Sequence, residues 1–422
     1  MLIKSNKLFF CVLVLFFLIA SIINVAAVES VKIGVTNPLT GPIAIVGQHS
    51  MDAMRVAVDI INGEYPELKY GLAPTAGLPN LGGAKIELIV GNTQGKPEYG
   101  RSEAERLITI NKVVALIGGY QSAVTKTASQ IAERYKVPYV AGVASAPDLT
   151  ERGFKYFFRV SLNDNYYAEM YMNFLEDLNK KKGANIKNLG IFYEDDIFGV
   201  NMYEGVKEAA NRHGFNLASV VKFPFGSAEM DSEVSILKRD NPDFVFIAAQ
   251  ISDTILYLQT AKKLNYNAPG IAAFGGGLSE NDVVKAMGKD VDYSFCREMV
   301  PLDLADKLPL LKKINEMYKE RAGVYIDGSN VRDFLGMIVL ADAINRAGST
   351  DKEAIRQALV ETDIPAEQLF LSLWGVKFDE KGQNTEGTGI VRQRFNGELK
   401  TVWPFEIAPA DIVFPMPKWN ER

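Results

Sequence analysis

Two short segments bring hydroxyl groups and free backbone amides together. Gly118-Gly119-Tyr120-Gln121-Ser122 runs from an apolar stretch into an amphipathic one, and Val143-Ala144-Ser145-Ala146-Pro147 follows the next apolar stretch. A serine at a helix start leaves first-turn N–H groups pointing outward, where the helix dipole favours an anion. If the two apolar stretches are neighbouring parallel strands, both loops leave one sheet edge and Ser122 and Ser145 converge. The chemistry on offer is the binding of a carboxylate by hydroxyls and amides, without a fixed positive charge. The plainer alternative makes Ser122 and Thr125 ordinary helix-start residues; spacing alone leaves both open.

Other chemistry finds little support. The chain of 422 residues has only two histidines and two cysteines: His49, His213, Cys11 and Cys296. A His/Cys metal site or a Cys–His pair would need nearly all of them. Thr40-Gly41-Pro42 lacks the spacing of a phosphate loop and reads as a tight turn. Gly275-Gly276-Gly277 reads as a crossover or hinge. Glu194-Asp195-Asp196 offers three carboxylates to a hard cation, but adjacent side chains diverge, so a solvated turn is the preferred reading. No Gly-x-Ser-x-Gly nucleophile turn exists. The expectation is no enzyme, no metal and no cofactor. A net charge of −5 gives no basic excess for nucleic acid.

The elements that must position these loops follow from periodicity. Lys4 and Lys7 precede an apolar run over 8–20, and Val25-Ala26-Ala27 supplies small residues at a cleavage site. Residues 1–27 therefore read as a signal peptide and the protein as exported; an uncleaved anchor is the rival. Strands are expected at 31–35, 85–90, 113–117 and 138–140, alternating with helices at 51–61, 97–110 and 122–135. The order restarts with helix 166–181, strand 189–193, helix 198–213, strand 217–222, helix 230–239, strand 243–248 and helix 253–264. Helices at 309–321, 330–347 and 351–361 follow. Two consecutive βα arrays predict an α/β protein with two similar parallel-sheet lobes. Residues 64–84, rich in Pro and Gly, are expected to form a long surface loop. The tail 401–422 interleaves four prolines with Trp403, Phe405, Phe414 and Trp419 and is expected to lie on the body.

The stretches VKIGVTNPLTGPIAIVGQ, VVALIGGYQSAVTKTASQIAERYKVPYVAGVASAPDLTERGFKYFFRVS and LGIFYEDDIFGVNMYEGVKEAA carry a family likeness. In order and spacing the chain resembles the branched-chain amino-acid binding proteins of ABC importers, of the type I periplasmic-binding family, from residue 31 to about 395. The resemblance implies two lobes joined by three crossovers, 28–160 plus 276–388 and 161–275 plus 389–422, closing on a small ligand. It implies an exported, periplasmic protein that hands a small-molecule solute to an ABC permease. A ligand-sensing domain of a receptor or regulator, and a secreted enzyme, are the alternatives.

By resemblance, Ser122 and Ser145 hold the ligand's carboxylate, with the backbone of Val143 and Ala144. Tyr120 and Gln121 lie beside them, and Phe198 supplies the second lobe's aromatic. Two positions depart from the family. Gln250 stands where a tyrosine is usual, and Gly275 where an acidic residue pairs with the ligand's ammonium. An aromatic near Val46 is also missing. The carboxylate half of the site is kept and the amine half lost. The expected solute is a small carboxylate, amide or amino-acid-like molecule; the lost amine half points to one lacking a free α-amino group, against walls from Tyr120, Phe198 and Tyr166. Asp253 and Glu280 are the alternative partners for an ammonium.

Overall fold

The structure is a computed structural model that describes residues 29–68, 71–303, 308–369 and 375–422. The expected export signal lies outside the described residues.

Two β-sheets organise the chain. The first has five strands in the order β2-β1-β3-β4-β5, all parallel: β1 Ser30–Asn37, β2 Lys85–Asn92, β3 Ala115–Gly118, β4 Tyr139–Ala141 and β5 Phe157–Arg159. Helices α1 Ala44–Asn62, α2 Pro97–Thr109 and α3 Ser122–Arg134 make the crossovers. Val31, Ile33 and Val35 of β1 are buried, as expected of a strand inside a sheet covered on both faces.

The chain then enters α4 (Asp164–Lys182) and a seven-stranded sheet ordered β14-β13-β10-β9-β8-β6-β7. Its strands are β6 Asn188–Glu194, β7 Asn216–Phe223, β8 Phe244–Ala249, β9 Ile271–Gly276, β10 Phe295–Glu298, β13 Ile390–Phe395 and β14 Glu398–Trp403. A small pair, β11 Asp363–Ile364 and β12 Val376–Lys377, lies outside both sheets. The helices from β6 to β9 are α5 Ile197–His213, α6 Asp231–Asp240 and α7 Ile251–Lys263. After β9 come α8 Asp282–Met287, α9 Pro309–Ala322, α10 Gly328–Ala347 and α11 Lys352–Val360. Helix α10 is buried on every side from Gly328 to Ala341 and packs on α1 of the first lobe. A helix enclosed in this way shows little amphipathic pattern, which is why its polar members matter below.

Three expectations need correction. The second crossover is not at 275/276. Strand β10 pairs parallel to β9 and antiparallel to β13, so the chain stays in the second sheet through Glu298 and returns to the first lobe only afterwards. Gly275-Gly276-Gly277 is accordingly no crossover: it ends β9 and opens a 3-10 turn, Gly277–Ser279. Gly276 is required there, with φ +64° and a Cβ that would lie 2.4 Å from the Ala249 carbonyl oxygen. The segment 64–84 is not merely a surface loop, because Leu68, Leu72, Ala73 and Leu78 are buried in the main core. The two parallel-sheet lobes are as expected; β13 and β14 add an antiparallel hairpin to the edge of the second sheet.

The tail does lie on the body. Phe414 stacks on Phe244 at 6.3 Å, the Trp419 indole N–H donates to the Tyr266 carbonyl at 2.9 Å, and Met416 N–H donates to Pro269 at 2.7 Å.

Candidate functional site

The first loop turns sharply out of β3. Gly119 has φ +72°, and a Cβ on it would lie 2.3 Å from Thr125 Oγ1, so the position takes only glycine. The Thr125 hydroxyl donates back to the Gln121 carbonyl at 2.9 Å, tying the loop to the first turn of α3. Ser122 opens that helix. Its Oγ accepts the Ala146 N–H of the second loop at 3.3 Å, which leaves its own proton free to donate. The second loop is held from behind by Arg159, whose Nη1 donates to the carbonyls of Ala146 at 2.7 Å and Ala144 at 3.3 Å. The convergence expected from parallel β3 and β4 is therefore present.

The opposite wall comes from the second sheet. Phe198 stands in the first turn of α5, which Asp196 caps by accepting Gly199 N–H at 2.8 Å. Gln250 precedes α7, and its N–H donates to the buried carboxyl of Glu194. Burial and the neighbouring Asp196 push the Glu194 carboxyl well above the usual range. The Glu194-Asp195-Asp196 triplet is thus not the solvated turn expected. Its members part into a buried acceptor, a salt bridge from Asp195 to Lys222 at 3.0 Å, and a helix cap. Among the described residues no acidic, His or Cys cluster is placed to hold a metal.

Tyr120, Gln121, Ser122, Val143, Ala144, Ser145, Phe198, Gln250 and Gly275 all line one cavity between the sheets. Its volume is about 20 Å³, enough for one water centre, so a solute needs the walls to part or the side chains to turn. Ile43, Val46, Tyr120 and Val143 meet Ile251 in an apolar cluster that closes the two lobes beside it. Tyr166 does not line the cavity; it is 46% exposed.

The expectation of no fixed positive charge is wrong. Arg297 on β10 and Arg332 on α10 line the same cavity and are only 2% and 3% exposed. The Arg297 guanidinium lies 3.4 Å from the centroid of the Tyr167 ring, and its Nη2 is 3.7 Å from Asp164 Oδ1. It also faces Gly275. A Cβ there would lie 3.2 Å from Arg297 Nη2, so the corner where the resemblance expects an acidic residue faces a guanidinium. Burial pushes the Asp164 carboxyl up to about 6, against the opposing pull of Arg297.

Neither alternative carboxylate lines the cavity. Asp253 accepts the N–H groups of Gly226 and Ser227 at 3.0 and 3.1 Å. Glu280 sits behind Tyr120, accepting from Ser329 Oγ at 2.7 Å and the Tyr120 hydroxyl at 3.2 Å. Burial and the nearby Asp327 push its carboxyl well above the usual range. A sequence signal for the arginines existed. Arg297-Glu298 interrupts an apolar run, and Arg332-Asp333 falls within a helix otherwise built for the core.

The sequence profile described as "Periplasmic binding protein" matches residues 30–398. The chain belongs to that family. Among curated relatives, it is 28% identical over 398 residues to Leu/Ile/Val-binding protein homolog 7 of Brucella abortus (strain 2308), covering 92% of this chain and 95% of the relative. Homolog 8 of the same organism is 28% identical over 402 residues, covering 94% and 96%. Two solved structures show the same fold. The leucine binding protein LivK of Thermotoga maritima superposes with a TM-score of 0.75 at 24% identity, covering 89% of this chain and 100% of that one. LivJ of Streptococcus pneumoniae, described as a branched-chain amino acid transporter substrate binding protein in complex with isoleucine, gives 0.72 at 16% identity, covering 89% and 99%. The periplasmic binding protein described here therefore has the two-sheet α/β architecture expected of it.

Proposed function

We propose that this periplasmic binding protein is an exported solute-binding component of an ABC importer, and that it captures a small carboxylate lacking an α-ammonium group. One observation carries the reading: two hydroxyl-bearing loops of the first sheet meet the second sheet's wall at one buried cavity, whose amine corner is occupied by Arg297. A ligand touching both walls favours the closed arrangement of the lobes over the open one, and that difference is what a permease reads. The curated relatives are named for leucine, isoleucine and valine; the guanidinium beside Gly275 supports a ligand without an ammonium at that corner.

Export predicts a mature N-terminus between Ala26 and Glu29 in the soluble fraction. Mass spectrometry of the secreted chain checks it, and intact residues 1–28 in a membrane fraction would refute it.

The site itself is tested by Ser122→Ala and Ser145→Ala. Each removes a hydrogen bond to a charged group, so each weakens the carboxylate found in a thermal-shift screen by about 1–3 kcal/mol. Calorimetry measures the loss. A ligand present at about 100 times its dissociation constant adds about 2.7 kcal/mol to wild-type stability, which makes the screen readable. Unchanged affinity in both variants places the ligand elsewhere.

A further inference from the structure

We propose that the solute is a dicarboxylate, with one carboxylate on the Ser122 and Ser145 loops and the second held by Arg297 and Arg332. This rests on the carboxylate-binding reading above and names its ligand class.

Several buried guanidinium donors at the cavity lack acceptors. A guanidinium carries five N–H donors in a fixed fork and is costly to bury without acceptors. Nε and Nη1 of Arg297, and Nε and Nη1 of Arg332, are buried with no hydrogen-bond partner. Both side chains line the cavity that also holds Ser122 and Ser145.

Glu298 and Glu280 hold the Arg332 guanidinium charged against its burial, but among the described residues no carboxylate takes the four unpaired donors. Asp164 comes no closer to Arg297 than 3.7 Å, and neither of its oxygens accepts a hydrogen bond. Glu280 takes the hydroxyls of Ser329 and Tyr120. Glu298 accepts Met299 N–H at 2.7 Å with one oxygen, and its other oxygen lies against Gly328 at the start of α10. The Tyr167 ring faces the Arg297 guanidinium and supplies no acceptor in its plane.

A single carboxylate on the serine loops leaves these forks unanswered. A second one meets them with the paired N–H···O geometry that guanidinium and carboxylate share. An acidic amino acid fits less well, since its ammonium adds positive charge to a cavity already holding two guanidinium groups.

The test is calorimetry on the mature chain, with succinate, glutarate and adipate measured against butyrate, valerate and hexanoate. The best dicarboxylate is expected to bind at least about tenfold tighter than the monocarboxylate of equal carbon number. Arg297→Met and, separately, Arg332→Met should shrink that preference to about twofold. Melting curves show which variants fold, and the wild-type comparison stands without either. Monocarboxylates that bind as tightly as their dicarboxylate counterparts overturn this inference and leave the carboxylate reading intact. Binding of neither series overturns both.

Discussion

Replacing Arg159 with methionine lowers the stability of the native chain by about 3–5 kcal/mol. Arg159 is fully buried at the end of β5, on the first sheet's edge. Beyond the Ala144 and Ala146 carbonyls, its Nε donates to Gln383 Oε1 at 2.7 Å and its Nη2 to Thr150 Oγ1 at 3.2 Å. Gln383 in turn donates to the Ser161 carbonyl at 2.8 Å. One guanidinium therefore braces the second ligand loop, the segment leaving the first sheet at 161, and the returning segment at 383. Methionine fills much of the volume but strands several buried acceptors without a donor, a penalty larger than the lost bonds alone. Burial lowers the Arg159 side chain's pKa to about 10, so it remains charged at neutral pH and its removal also deletes a buried charge. Lysine should rescue little, because one ammonium cannot reproduce the fork. Urea unfolding of the two variants against wild type measures the effect; a loss below about 1 kcal/mol would show that water replaces the donor.

Leucine is expected to bind at least about 100-fold more weakly than its deaminated analogue, a difference of about 2.7 kcal/mol. With its carboxylate on the serine loops, an α-amino acid directs its ammonium toward the Gly275 corner. Two like unit charges about 4 Å apart at an effective dielectric of 20 repel by about 4 kcal/mol. The Asp164 carboxylate beside the corner takes no hydrogen bond but lies 3.7 Å from Arg297 Nη2, so an ammonium would compete with the guanidinium for it. Asp164, which stays largely ionised at neutral pH with its pKa of about 6, tempers the repulsion, but it also sits 3.7 Å from Arg297. The expected difference is therefore set below the bare Coulomb figure.

Much of this was legible from local pattern. The βα alternation fixes both parallel arrays, because each strand-and-helix unit carries its own period. Ser122 and Ser145 could be placed together because neighbouring parallel strands release their loops at one edge. The rest depends on pairing between residues far apart in the chain. Strand β10 is four residues long and ends in Arg297-Glu298, so its apolar signal is brief and its assignment to the second sheet rests on contacts with β9 and β13. The missing acidic residue at Gly275 was visible, but what faces that corner was not. An absent side chain leaves a gap in a sequence, whereas the structure shows Arg297, 22 residues later, aimed at the same corner. Arg332 stood out only as a charge in a helix built for the core: where a helix is buried on all sides, periodicity does not separate a core-facing arginine from a solvated one.

The most direct test is calorimetric titration of the mature protein with L-leucine and with 4-methylpentanoate, the same skeleton without its amino group. The account predicts measurable binding of 4-methylpentanoate, and leucine weaker by about 100-fold or undetectable. Leucine binding at micromolar affinity or tighter, with 4-methylpentanoate much weaker, would contradict it and return the ammonium's partner to Asp164, Asp253 or Glu280.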